Sequence, residues 1–162
     1  MMNESISLRT DVVHSDIKAV EELVVSTGFF RDDEVRVAVE IVEERIKLVT
    51  ESGYEFIFAE INGEVAAYVC FGLIPCSLIS YDLYWIVTGK SFQKKGLGKL
   101  LLQKTEEIVK EKGGKAIYIE TSSKPLYKPT QDFYIKTGYS LKYVYEDFYE
   151  KDDDKLVFVK KF

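Results

Sequence analysis

The chain has 162 residues, 46% of them hydrophobic and 14% aromatic, enough to bury one substantial core in a single domain spanning residues 1–162. Its formal net charge of -5 runs against the basic face of a nucleic-acid binder, so no nucleic-acid partner is expected; an acidic surface suits a cationic substrate such as an amine. Two cysteines, Cys70 and Cys76, and a single histidine, His14, give neither a disulfide framework nor a metal site, and a nucleophilic triad would rest on His14 alone. No segment reaches membrane-spanning length and residues 1–9 lack an apolar signal core, so the expected location is cytoplasmic, with no membrane partner.

In chain order, residues 5–9 read as a short edge strand. Ser15-Asp16 opens a helix with Ile17, Val20 and Val24 on one face, stopped by Gly28. A second helix is predicted from residue 32 or 33 to residue 51, because Val35, Val39, Val42, Ile46 and Val49 alternate by four and three into one apolar stripe. Between Tyr54 and Pro75 two strands flank Asn62-Gly63, a hairpin signal. Residues 81–88 (YDLYWIVT) form an apolar, aromatic and β-branched strand.

The next helix is predicted over residues 97–110, with Leu97, Leu101 and Ile108 at helical spacing, and Gly113-Gly114 ends it. Residues 115–122 (KAIYIETS) read as a strand, and residues 130–136 as a short helix closed by Gly138. Two last strands, near residues 140–148 and 155–162, are separated by the acidic turn of residues 151–154. The order β-α-α-β-β-β-α-β-α-β-β predicts an α/β (α+β) fold with a mixed, mostly antiparallel sheet and helices on both faces.

The chemistry-bearing stretch is Gln93-Lys94-Lys95-Gly96-Leu97-Gly98-Lys99, set between a strand and a helix. Glycines let the backbone approach a ligand, the first N–H groups of the helix point at it, and Lys94, Lys95 and Lys99 add charge where the dipole favours an anion. A Walker loop is excluded because Gly98-Lys99 is followed by Leu100; a dinucleotide fingerprint is excluded because Leu101 stands in place of its third glycine. The plainer alternative is a tight strand-to-helix turn with solvated lysines.

The remaining pattern, Gln-x-x-Gly-x-Gly between strand and helix, resembles the pyrophosphate loop of the GNAT superfamily of N-acetyltransferases. The element order resembles that fold along essentially the whole chain. The resemblance implies acetyl-CoA as co-substrate, its pyrophosphate on the backbone amides of Lys94 to Lys99 and its pantetheine arm on Ile86, Val87 and Thr88. It implies an amine acceptor, on a small molecule or a peptide, attacking directly. A homodimer is compatible with it. A non-catalytic acyl-CoA sensor of the same fold is the alternative.

Acetyl transfer needs a neutral amine, and for a lysine-like amine deprotonation at pH 7 costs about 4.6 kcal/mol, so a base is required. Glu120 is the first candidate: it interrupts the apolar alternation Ala116-Ile117-Tyr118-Ile119, where desolvation would raise its pKa, and it coincides with a base position in some GNAT members. A salt bridge or a solvated strand end is the plainer reading. Asp82 is the second candidate, and Tyr118 a relay through water.

Tyr134 resembles the family's tyrosine acid within Asp132-Phe133-Tyr134-Ile135-Lys136-Thr137-Gly138-Tyr139; simple packing is its alternative. Many GNAT members carry an Asn after the Glu120 strand, where this chain has residues 122–130 with Pro125 and Pro129. Ser123, Tyr127 or Thr130 would replace that contact, or the segment shapes the acceptor pocket. Tyr68, Asp82, Tyr84 and Tyr127, with Phe29-Phe30, are the candidates to line an aromatic, partly acidic acceptor pocket.

Overall fold

The computed structural model describes residues 4–162. It contains strands β1 (Ile6–Arg9), β2 (Glu55–Ile61), β3 (Glu64–Leu73), β4 (Ser80–Thr88), β5 (Ala116–Ser122), β6 (Ser140–Glu150) and β7 (Asp153–Lys161). The α-helices are α1 (Asp16–Ser26), α2 (Asp32–Leu48), α3 (Leu97–Glu111) and α4 (Lys128–Lys136). The strands form one seven-stranded sheet in the order β1-β2-β3-β4-β5-β7-β6. Pairing is antiparallel for β1/β2, β2/β3, β5/β7 and β6/β7 and parallel for β4/β5, so the expected mixed α/β fold is observed.

The chain separates into two compact units. The first comprises the chain up to Gly72 together with Trp85–Thr105. Asn62 and Gly63 take φ of 52° and 83°, the left-handed turn that joins β2 to β3. Register then pairs Phe56 with Cys70 and Phe58 with Tyr68, and these four side chains join Val20, Val24, Ala38 and Val42 of α1 and α2 in one core. Arg9 binds both carboxylate oxygens of buried Asp16, at 2.8 and 2.9 Å, and Glu60 at 2.8 Å, so β1 is locked to α1 and β2. The predicted second helix stops at Leu48 rather than 51: Val49 turns to φ 52° and a 3-10 turn, Val49–Ser52, completes the segment.

The second unit comprises Leu73–Tyr84 and Glu106–Phe162. Gly113 and Gly114 do different jobs there. Gly113 takes φ 84° and ends the helix, whereas a Cβ on Gly114 would lie 2.4 Å from Val109 Cγ1 and 2.9 Å from the Val109 carbonyl oxygen. The helix predicted from residue 130 begins at Lys128, with Pro129 in its first turn, after a 3-10 turn at Pro125–Tyr127. The last two strands run longer than expected and leave only Lys151 and Asp152 between them. The β6/β7 register is irregular near the start of β6, between Leu141 and Tyr143, and again between Tyr145 and Glu150, where Asp147 takes φ 48° and the strand bends.

Candidate functional site

In the first unit the loop before α3 is built by two left-handed residues, Lys94 (φ 63°) and Gly96 (φ 78°), separated by Lys95. Leu97 is buried and pins the helix start, while Gln93, Lys94, Lys95, Gly96 and Lys99 stay exposed and Gly98 is half-buried. The first intrahelical bond runs from the Leu100 N–H to the Gly96 carbonyl at 3.1 Å, so the N–H groups just before it are free of helical partners. Lys95 is ion-paired with Glu4. Lys94 and Lys99 make no ion pair among the described residues, so two lysine charges remain for an anion at a helix N-terminus.

Upstream, Val87 is buried in the α1/α2 core while Ile86 and Thr88 are half-buried. Gly89, which sequence reasoning passed over, donates its N–H to the Ala66 carbonyl at 3.0 Å and comes so close to α1 that a Cβ would lie 2.5 Å from Leu23 Cδ2. Tyr68, a candidate to line the acceptor pocket, sits in the core of the first unit. It is 1% exposed, because its alternation on β3 points it inward with Cys70, and its hydroxyl has no hydrogen-bond partner among the described residues. Phe30 packs on Phe29 and Trp85, with ring centroids 5.2 Å apart in both pairs.

In the second unit two carboxylates, Asp82 and Glu120, fall on one sheet face. Register sets Asp82 beside Tyr118 on β5, Glu120 beside Val157 and Ser122 beside Lys155 on β7; Tyr118, Glu120 and Ser122 alternate onto the same face. Asp82 is half-buried and makes no hydrogen bond or ion pair among the described residues. Burial, and then the Glu120 charge, push its carboxyl up to about 6, with Lys155 acting in the opposite direction. Glu120 is not in the desolvated setting its strand suggested: its side chain is 52% exposed and bonded to Lys155 at 3.2 Å, because β5 ends there beside the start of β7. The plainer salt-bridge reading describes Glu120 as the structure places it.

Lys155 is the residue sequence reasoning missed. Its side chain is 14% exposed, and its ammonium lies 3.9 Å from the Phe148 ring centroid and 4.9 Å from that of Tyr145. The β6/β7 hairpin register, which pairs Tyr145 with Lys155, brings the rings to the ammonium, and the β5/β7 pairing brings Glu120.

Tyr134 is 4% exposed, enclosed by Phe133, Tyr139 and Phe158, and burial holds its hydroxyl well above the usual phenol range. No hydrogen bond engages that hydroxyl among the described residues. Tyr84 is exposed and Tyr127 half-buried in the turn before α4. Ser123 is committed elsewhere: its hydroxyl accepts from the Asp154 N–H at 2.8 Å and its own N–H donates to the Asp154 carbonyl at 3.0 Å. No group of three or more His, Cys, Asp or Glu side chains gathers for a metal ion among the described residues.

The first unit thus offers a glycine-bearing helix start with two lysines, and the second a half-buried carboxylate on the sheet. Residues 18–139 match the model of the acetyltransferase (GNAT) family, and the chain belongs to that family. It is similar to a GNAT-family protein of Desulfovibrio desulfuricans, with 36% identity, 97% of this chain and 99% of that one covered, and a TM-score of 0.95. Its fold is shared with an aminoglycoside 6'-N-acetyltransferase solved with coenzyme A (20% identity, 97% and 96% covered, TM-score 0.73). A GNAT acetyltransferase of Elizabethkingia anophelis with acetyl-CoA bound shares it too (15% identity, 97% and 98% covered, TM-score 0.69). No curated protein matches the sequence.

Proposed function

We propose that the protein is an N-acetyltransferase that takes its acetyl group from acetyl-CoA and passes it directly to an amine of a small molecule or peptide. The observation that carries the reading is the Lys94–Gly96 double left-handed turn at the head of α3, with two lysines left unpaired. This donor set fits a pyrophosphate: backbone N–H groups at a helix start, positive charge beside them, and little side-chain bulk at Gly96 and Gly98. Solved relatives of the same fold hold coenzyme A or acetyl-CoA, which supports the same choice here.

Acetyl-CoA supplies an activated thioester whose carbonyl an amine can attack. Asp82 is the better base in this account: it is unpaired, partly desolvated and ionised above about pH 6, so it receives the ammonium proton near neutrality. Glu120 adds negative charge beside it, which favours a cationic acceptor before deprotonation. Tyr134, kept protonated by burial, serves as proton donor to a departing thiolate. The transfer needs no covalent intermediate, because Cys70 is buried with its thiol pushed well up and is a poor nucleophile. Thiol release with a panel of amines and acetyl-CoA tests this reading; acetyl-CoA binding without turnover on any amine would favour the acyl-CoA sensor instead.

A second copy of the chain is the partner we assign to β6, the edge strand of the sheet. All eleven β6 residues are exposed, and Leu141, Tyr143, Val144, Tyr145, Phe148 and Tyr149 each remain 46–54% exposed. Antiparallel pairing of two copies about Val144 sets Lys142 of one opposite Glu146 of the other, twice.

A further inference from the structure

We propose that Lys155 is a positioning residue: its ammonium, seated on the Phe148 and Tyr145 rings, anchors Glu120 and holds Asp82 in the ionised, proton-accepting form. This deepens the reading of Asp82 as the base and rests on it.

A lysine at the start of a strand ordinarily extends its ammonium into water. Here the group is drawn under the β6 bend, bonded to Glu120 at 3.2 Å and lying over two aromatic faces at 3.9 and 4.9 Å. The bend that delivers Phe148 is itself pinned. The Asp147 N–H donates to the Asp154 carboxylate at 2.9 Å, and the Asp152 N–H donates to the Asp147 carboxylate at 2.7 Å. Ring faces fix a cation without consuming its donors, so the ammonium keeps its hydrogen-bonding capacity for the carboxylates.

The groups around Asp82 explain why that matters. Its own strand offers Tyr84; β5 offers Tyr118 and Glu120; β7 offers Lys155, the only cation among the groups whose charge acts on Asp82. The acidic neighbours of Lys155 in sequence are engaged, Asp153 by the Ser122 hydroxyl and Asp154 by the Asp147 N–H. Lys124 is taken by Glu150 and lies 3.7 Å from Asp153. Without Lys155 the Glu120 charge acts on Asp82 with no cation to offset it, and the Asp82 carboxyl holds its proton to higher pH.

The test follows the Asp82 carboxyl directly, by ¹³C NMR across pH on the full chain, with Asp82→Asn identifying its resonance. The wild-type midpoint is expected near 6. Lys155→Met moves it upward by about half a pH unit or more, whereas Lys155→Arg, which keeps the charge, leaves it in place. Should Lys155→Met fail to fold, Lys155→Gln serves instead, with thermal unfolding as the check. An unmoved midpoint in a folded, charge-less variant overturns the proposal. Normal turnover by Asp82→Asn sinks the base reading instead, and the NMR midpoints tell the two failures apart.

Discussion

Lys160 holds both carboxylate oxygens of Glu106 at 2.9 Å, tying the last turns of α3 to β7. Glu106 is buried and receives a third bond from the Tyr139 hydroxyl at 3.3 Å, while the Lys160 ammonium also donates to the Thr137 carbonyl at 3.1 Å. Removing the lysine strands a buried carboxylate. Lys160→Met is expected to lower the unfolding free energy by about 2–3 kcal/mol, read from urea denaturation, and Glu106→Gln with Lys160→Met together by less. A loss below about 0.5 kcal/mol would make the pair a surface ornament.

The carboxylate assignment predicts a split between two neighbours. Asp82→Asn should reduce kcat by roughly 100-fold or more, and Glu120→Gln should act mainly on KM for a cationic amine. The wild-type kcat/KM should fall on the acid side with a midpoint near 6, as Asp82 protonates. The reverse split, with Glu120→Gln the crippled variant, would return the base to Glu120.

Asp82 also sets a cost in stability. Its folded value is raised from 3.8 to about 6, so the folded protein keeps a proton that the unfolded chain gives up between those values. The penalty is absent below 3.8, grows as pH rises and is complete above about 6. Asp82→Asn should therefore match wild type at pH 3.5 yet be more stable at pH 7.5, by about 1 kcal/mol once the water reaching a half-buried group is discounted. Paired thermal melts at the two pH values check the sign.

Tyr134→Phe keeps the rings of Phe133, Tyr139 and Phe158 packed and removes a hydroxyl with no hydrogen bond to lose. Its melting temperature should stay within about 2 °C of wild type while kcat drops at least about tenfold. Equal turnover would leave Tyr134 as packing alone.

For β6, sedimentation across a concentration series should show a dimer, and Val144→Lys, at the proposed two-fold centre, should return monomers. A monomer at every concentration would contradict the assignment.

Local signals were legible where the chain decides its own backbone. Asn62-Gly63 announced the β2/β3 turn, and Leu97 with Leu101 announced the buried face of α3. Where alternation or periodicity had to be extended, it misled. The stripe through Val49 suggested a helix to residue 51, but a positive φ of 52° at Val49 ends it after Leu48. Alternation correctly set Glu120 on a sheet face, yet whether that face is dry depends on β7, whose register is set far along the chain. Lys155 was invisible for a related reason: its partner Glu120 lies far back in the chain on β5, and the irregular β6/β7 register that puts Tyr145 and Phe148 over its ammonium has no local signal.

Calorimetric titration of acetyl-CoA into the purified protein, with Gly96→Glu as control, tests the central claim most directly. The account predicts saturable binding near one per chain, abolished when a carboxylate is placed in the left-handed turn proposed to receive the pyrophosphate. No heat of binding to well-folded protein, or equal binding by folded Gly96→Glu, would contradict it.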